Sequence, residues 1–113
     1  MFLNAQDILG QASNLVNNRG AERDKPTGER SMAKAVDIFN AWKGAELTEE
    51  DGWAFMVALK FARMEGGKFK LDDYLDATAY CALMTERAVQ VELQDLELEQ
   101  DYSPKQEDAY GNY

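Results

Sequence analysis

Trp53-Ala54-Phe55-Met56-Val57-Ala58-Leu59-Lys60-Phe61-Ala62-Arg63-Met64-Glu65-Gly66-Gly67, and a few residues on Asp73-Tyr74-Leu75-Asp76-Ala77-Thr78-Ala79-Tyr80, read as two helices around a hairpin. In the first run Trp53, Phe55, Met56, Val57, Leu59, Phe61, Ala62 and Met64 are apolar nearly all round, a pattern expected of a helix central in a bundle. Thr48-Glu49-Glu50-Asp51 supplies a cap and an acidic first turn ahead of it. Gly66-Gly67 ends it and allows a tight reversal. Two cations interrupt the apolar run, as Lys60-x-x-Arg63. The next helix carries Asp73-x-x-Asp76-x-x-x-Tyr80. Spacings of three and four put each set on one helix face, so an antiparallel hairpin is expected to bring the two signs together.

Working outward, Asn4 to Asn18 reads as a first helix. Asn4 caps it, Asp7 sits in its first turn, and Ala5, Ile8, Leu9, Ala12, Leu15 and Val16 form its apolar stripe. Residues 19–30 read as a charged loop broken by Pro26 and Gly28. Ser31 to Lys43 reads as a second helix between the Ser31 cap and Gly44, with Met32, Ala35, Val36, Phe39 and Trp42 as its buried stripe. The last helix is expected from Asp72 or Asp73, through Leu75, Ala79, Ala82 and Leu83, to about Glu99. From Val89 to Leu98 an alternating apolar pattern also fits a strand. The abundance of Glu, Gln and Leu and the lack of a partner strand favour helix. The expected fold is therefore all-α: a compact bundle of about four helices over residues 1–88, with an extended acidic C-terminal segment over 89–113.

Composition limits the chemistry. The chain has 113 residues, a net charge of -9 and no His. The excess is concentrated at one end, where residues 89–113 hold seven acids against Lys105. Phosphate contacts need Lys and Arg, so this balance argues against direct nucleic-acid binding and for attraction to a basic protein surface. The lone Cys81 allows no internal disulfide and no metal-ligand spacing, and is expected on an apolar helix face. No apolar run is long enough for a membrane span and no signal-peptide pattern opens the chain. A reduced, cytoplasmic setting is expected.

The charged cluster has two readings. In the structural one, Lys60 and Arg63 pair with Asp73 and Asp76 across the hairpin, Tyr80 adds a hydrogen bond, and helix register is fixed. In the catalytic one, Asp73 and Asp76 with Glu49 hold Mg²⁺, while Lys60 and Arg63 hold phosphate oxygens of a nucleotide. The acidic segment offers a different kind of site. Glu92, Asp95, Glu97, Glu99 and Asp101, with Tyr102, Tyr110 and Tyr113, are candidates for binding a partner protein.

Several motifs together resemble a family of small bacteriophage and prophage proteins of unknown function. They are Ile8-Leu9 with Ala12 and Leu15-Val16, Arg23-Asp24, Phe39-Asn40-Ala41-Trp42, Leu47 to Asp51, Leu59-Lys60-Phe61-Ala62-Arg63, and Asp73 to Tyr80. The resemblance covers roughly residues 7–88. The layout also looks distantly like the all-helical nucleotide pyrophosphohydrolases of the MazG type, with Glu46-x-x-Glu49 and Asp73-x-x-Asp76 at the places of the family's two acidic motifs. The first resemblance implies a phage-encoded accessory protein in the host cytoplasm. Such a protein would bind a host or phage protein, and inhibition of a defence or nucleic-acid enzyme is its concrete form. The second implies a Mg²⁺-dependent nucleotide-binding protein or pyrophosphohydrolase. A small virion structural protein that works by self-association is the third expectation.

Overall fold

The computed structural model describes residues 2–23 and 31–102, with the side chains of 2–18 and 31–99. Within them the chain is all-α. Four helices follow one another: α1 (Ala5–Arg23), α2 (Ser31–Lys43), α3 (Glu49–Glu65) and α4 (Leu71–Tyr102). α3 and α4 form the hairpin expected from Gly66-Gly67. α1 packs on α4, and α2 packs on α3.

Local chemistry sets the helix ends. At α1 the Asp7 amide donates to Asn4 Oδ1 (2.8 Å) and the Asn4 amide to Asp7 Oδ2 (3.2 Å), a reciprocal cap. Thr48 and Asp51 make the same exchange at α3, at 3.1 and 2.9 Å. Past α2 the chain turns at Gly44, whose φ of 64° lies in the left-handed region that favours glycine. Asn40 then clamps the α2–α3 connection. Its Nδ2 donates to the Leu47 carbonyl (2.9 Å), and the Leu47 amide donates to its Oδ1 (3.0 Å).

Two boundaries differ from expectation. α1 continues through Gly20 to Arg23, so the charged segment expected as a loop over 19–30 is helical as far as Arg23. A single glycine costs a helix only about 1 kcal/mol, which its neighbours can offset. Residues 24–30 lie outside the described ones. α4 starts one residue early, at Leu71. It is helical through residues 89–99, which decides that segment against the strand alternative, and it passes residue 88 without a break.

Trp53, Tyr80 and Leu83 are the centre of the core, and Val16, Met32, Met56, Val57 and Met84 close on them. All four helices meet there. Ala77 and Ala79 are buried at the α4 surface, where short side chains let a neighbouring helix come close. Two expected stripes are only partly covered. On α2, Val36 is buried and Met32 half-buried, but Ala35, Phe39 and Trp42 are exposed, Trp42 at 73%. Among the described residues the backbone of α2 lies close to α3 alone, and only the Met32 and Val36 side of it is covered. On α1, Ala12 is buried while Ala5 and Leu9 are exposed. α3 lies between α2 and α4, yet its outer side is open: Phe55 is 70% and Phe61 56% exposed.

The α2–α3 contact is tight at Gly52. A Cβ there would collide with Met32 and would lie 2.9 Å from Val36 Cγ2. Met32 can swing aside, but the branched Val36 has little rotamer freedom in a helix. Gly52→Ala is therefore expected to destabilise by about 1–3 kcal/mol despite its better helix propensity. Urea denaturation of the variant checks this.

Candidate functional site

The hairpin brings Lys60, Asp73 and Asp76 together. Lys60, on the inner side of α3, is 8% exposed. Its Nζ lies 2.9 Å from Asp76 Oδ2 and 4.0 Å from Asp73 Oδ1, and both aspartates are themselves buried on α4. One turn of α4 separates the two carboxylates, so one ammonium reaches both. Removing charges from water is costly unless they are paired, and here each is paired. The trio carries one cation and two anions and ties the second half of α3 to the first two turns of α4.

Tyr80, one turn further along α4, is buried in the core. Its ring stacks on Trp53 with centroids 5.7 Å apart and planes at 28°. Arg63 does not join the trio. It is exposed on α3 and, with Gly66, Gly67, Lys68, Lys70 and Asp73, lines a groove of about 530 Å³ at the hairpin turn. The three residues from Lys60 to Arg63 turn the second side chain about 60° around the helix, past the edge of the α4 contact. Asp73 thus touches both places, one carboxylate oxygen towards Lys60 and its flank towards the groove. Arg63, Lys68 and Lys70 make no ion pair with a described residue.

The metal alternative placed Glu49 with Asp73 and Asp76, and the structure does not bring them together. Glu49 opens α3, eleven residues and about 16 Å of helix axis away from Lys60. There Glu49 Oε1 lies 3.4 Å from Arg87 Nε, and its Oε2 accepts from Trp53 Nε1 (3.3 Å). No group of three or more His, Cys, Asp or Glu among the described residues is arranged to hold a metal ion. A cation at Asp73 and Asp76 would first have to displace Lys60.

The partner-binding candidates Glu92, Asp95, Glu97 and Glu99 are exposed on α4. The side chains of Asp101 and Tyr102, and the whole of Tyr110 and Tyr113, lie outside the described residues. Cys81 is exposed, yet it opens onto an apolar groove of about 700 Å³ between α1 and α4, beside Ala12, Val16 and Ala82. No helix among the described residues is long and apolar enough to cross a membrane.

Three features were missed by reading the residues in order. The basic turn was visible as Lys68-Phe69-Lys70 directly after Gly-Gly, one turn from Arg63. The Glu49–Arg87 pair joins positions 38 apart, and no local spacing signals it. The open outer side of α3 was hidden by the assumption that an all-apolar helix is enclosed by its own chain.

Comparison with known proteins returned one family and neither a curated protein nor a solved structure. The family profile, described as a domain of unknown function (DUF6378), matches residues 7–88. That span holds both halves of the Lys60–Asp73–Asp76 clamp and stops inside α4. With well over half of its length matched, the chain belongs to the DUF6378 domain family.

Proposed function

We propose that this protein acts by binding another protein through the acidic end of α4. In the setting of the phage resemblance, it is an accessory protein that docks on a host or phage enzyme and modulates it. The observation that carries this reading is the reach of α4. Its 32 residues span about 48 Å, whereas the 17 of α3 span about 25 Å. Arg87 pairs with Glu49 at the first turn of α3, so beyond it α4 has run past α3. Between Val89 and Glu99 this arm holds four acids and no base. Val89 and Leu93 are more than half exposed and, with Leu96, follow the i, i+4, i+7 rhythm of one helix side. Glu92, Asp95 and Glu99 flank that stripe.

An apolar helix stripe bordered by one sign of charge fits an apolar groove rimmed with Lys and Arg on its partner. The clamp supports the same reading, because its carboxylates are already engaged by Lys60. Immobilised wild-type protein is expected to capture a specific protein from host or infected-cell lysate at low salt. Capture should fall as salt rises and disappear in Leu93→Asp. Equal capture by wild type and Leu93→Asp, or none by either, contradicts the proposal.

One observation favours a second reading. Arg63, Lys68 and Lys70 around the turn groove make no ion pair with a described residue and suit a phosphate-bearing ligand, Arg as a planar fork and Lys as a point charge. Mg²⁺-dependent turnover of nucleoside triphosphates that is lost in Arg63→Ala would place this reading first.

A further inference from the structure

We infer that the turn between α3 and α4 binds a diphosphate group, held by Arg63, Lys68 and Lys70. The three cations line one groove of about 530 Å³, together with Gly66, Gly67 and Asp73. Arg63 comes from the last turn of α3, and both lysines come from the five residues that join Glu65 to Leu71. All three are exposed. The chain has 21 acids against 12 bases, yet no described acid comes within ion-pair reach of these three cations. Glu65 and Asp72 belong to the same stretch, but neither lines the groove. Asp73 does line it, and the Lys60 ammonium lies 4.0 Å from one of its oxygens. The groove therefore presents three cations against one acid that a fourth cation already faces.

The turn is fixed from both sides. The Phe69 ring packs on Tyr74 with centroids 5.5 Å apart. The Asp73 amide donates to the Lys70 carbonyl (3.1 Å), which sets the entry into α4. Lys68 and Lys70 flank Phe69, and both line the groove while Phe69 does not. The aromatic contact thus anchors the segment on one side and leaves the two ammonium groups on the other. Gly66 and Gly67 put no side chain into the space, and a Cβ at Gly67 would meet nothing within 4 Å.

The donor set selects the ligand class. A guanidinium fork grips two oxygens of one phosphate, and an ammonium acts as a point charge. One phosphate group offers three oxygens and a charge of about −1.5 to −2, so Arg63 alone engages most of it. A second, linked phosphate gives Lys68 and Lys70 oxygens of their own. The diphosphate can be inorganic or part of a nucleotide.

This inference rests on the phosphate-ligand reading above and adds the class of ligand. It is tested by isothermal titration calorimetry of the full chain at low salt with EDTA, so that Mg²⁺-dependent turnover plays no part. The probes are inorganic phosphate, pyrophosphate and ADP. Wild type is expected to bind pyrophosphate at least about tenfold more tightly than phosphate. Arg63→Ala and Lys70→Ala are each expected to weaken pyrophosphate binding about tenfold or more, with unchanged helical circular dichroism. Lys34→Ala, at an exposed cation on α2, is expected to bind like wild type. ADP binding more tightly than pyrophosphate identifies a nucleotide as the source, and the reverse order an inorganic diphosphate. No pyrophosphate binding by wild type overturns the inference, as does phosphate bound equally tightly. So does equal weakening by Arg63→Ala and Lys34→Ala. Pyrophosphate binding without any turnover of nucleoside triphosphates keeps this inference and removes the pyrophosphohydrolase. Turnover without pyrophosphate binding removes this inference alone.

Discussion

Trp53→Ala is expected to lower unfolding free energy by about 3–5 kcal/mol, the usual cost of emptying a buried aromatic site. The side chain is 3% exposed. With Tyr80 and Leu83 it forms the core cluster against which Val16 from α1, Met32 from α2 and Met84 from α4 pack, so residues of all four helices converge there. Little else would compensate, because no large side chain among the described residues is below 2% exposed. The substitution removes the stack on Tyr80 and leaves Glu49 Oε2 without its indole donor. Domains of this size hold a margin of about 5–15 kcal/mol, so the loss would consume a large part of it. Urea denaturation followed by circular dichroism measures the change. Trp53→Phe keeps most of the apolar volume and is expected to cost clearly less. A Trp53→Ala midpoint equal to that of wild type would mean that the four helices do not meet at this residue.

Lys60→Met is expected to be about as damaging, at about 3–5 kcal/mol, for a different reason. Methionine fills much of the same space, so the loss is electrostatic rather than steric. Asp73 and Asp76 would be left facing each other, both buried, without the ammonium that now lies 2.9 Å from one and 4.0 Å from the other. Arg63 cannot take over from its place on the turn groove. Arg63→Met, which breaks no ion pair among the described residues, is therefore expected to leave stability nearly unchanged. The contrast between two cations one helical turn apart separates a buried clamp from a surface charge.

The hairpin was legible because its signals are local. Thr48 and Asp51 cap α3, Gly66-Gly67 ends it, and the next apolar residues resume helical spacing. Lys60 and the two aspartates were legible for the same reason: a charge inside an apolar run has few ways to be satisfied. Arg63 was misplaced because three residues amount to slightly less than one turn, enough to carry a side chain off the edge of a contact. The exposure of Phe39 and Trp42 was not legible, since periodicity shows which side of a helix is apolar but not how many neighbours arrive to cover it. The same limit applied to α3. Its apolar character was legible, and how much of its surface the described residues cover was not a question that spacing could answer. Residues 89–99 gave two periods at once. Composition favoured helix, and helix is what forms, since an isolated strand has no ladder to join.

The account rests on the buried trio being a clamp whose role is structural. The most direct measurement is the urea denaturation midpoint of Lys60→Met beside that of Arg63→Met. Breaking a buried ion pair by removing one partner is strongly destabilising, whereas an exposed charge contributes little. The predicted result is a Lys60→Met midpoint far below that of wild type and an Arg63→Met midpoint close to it. Equal midpoints for the two variants would contradict the account, because the buried ammonium would then matter no more than an exposed cation.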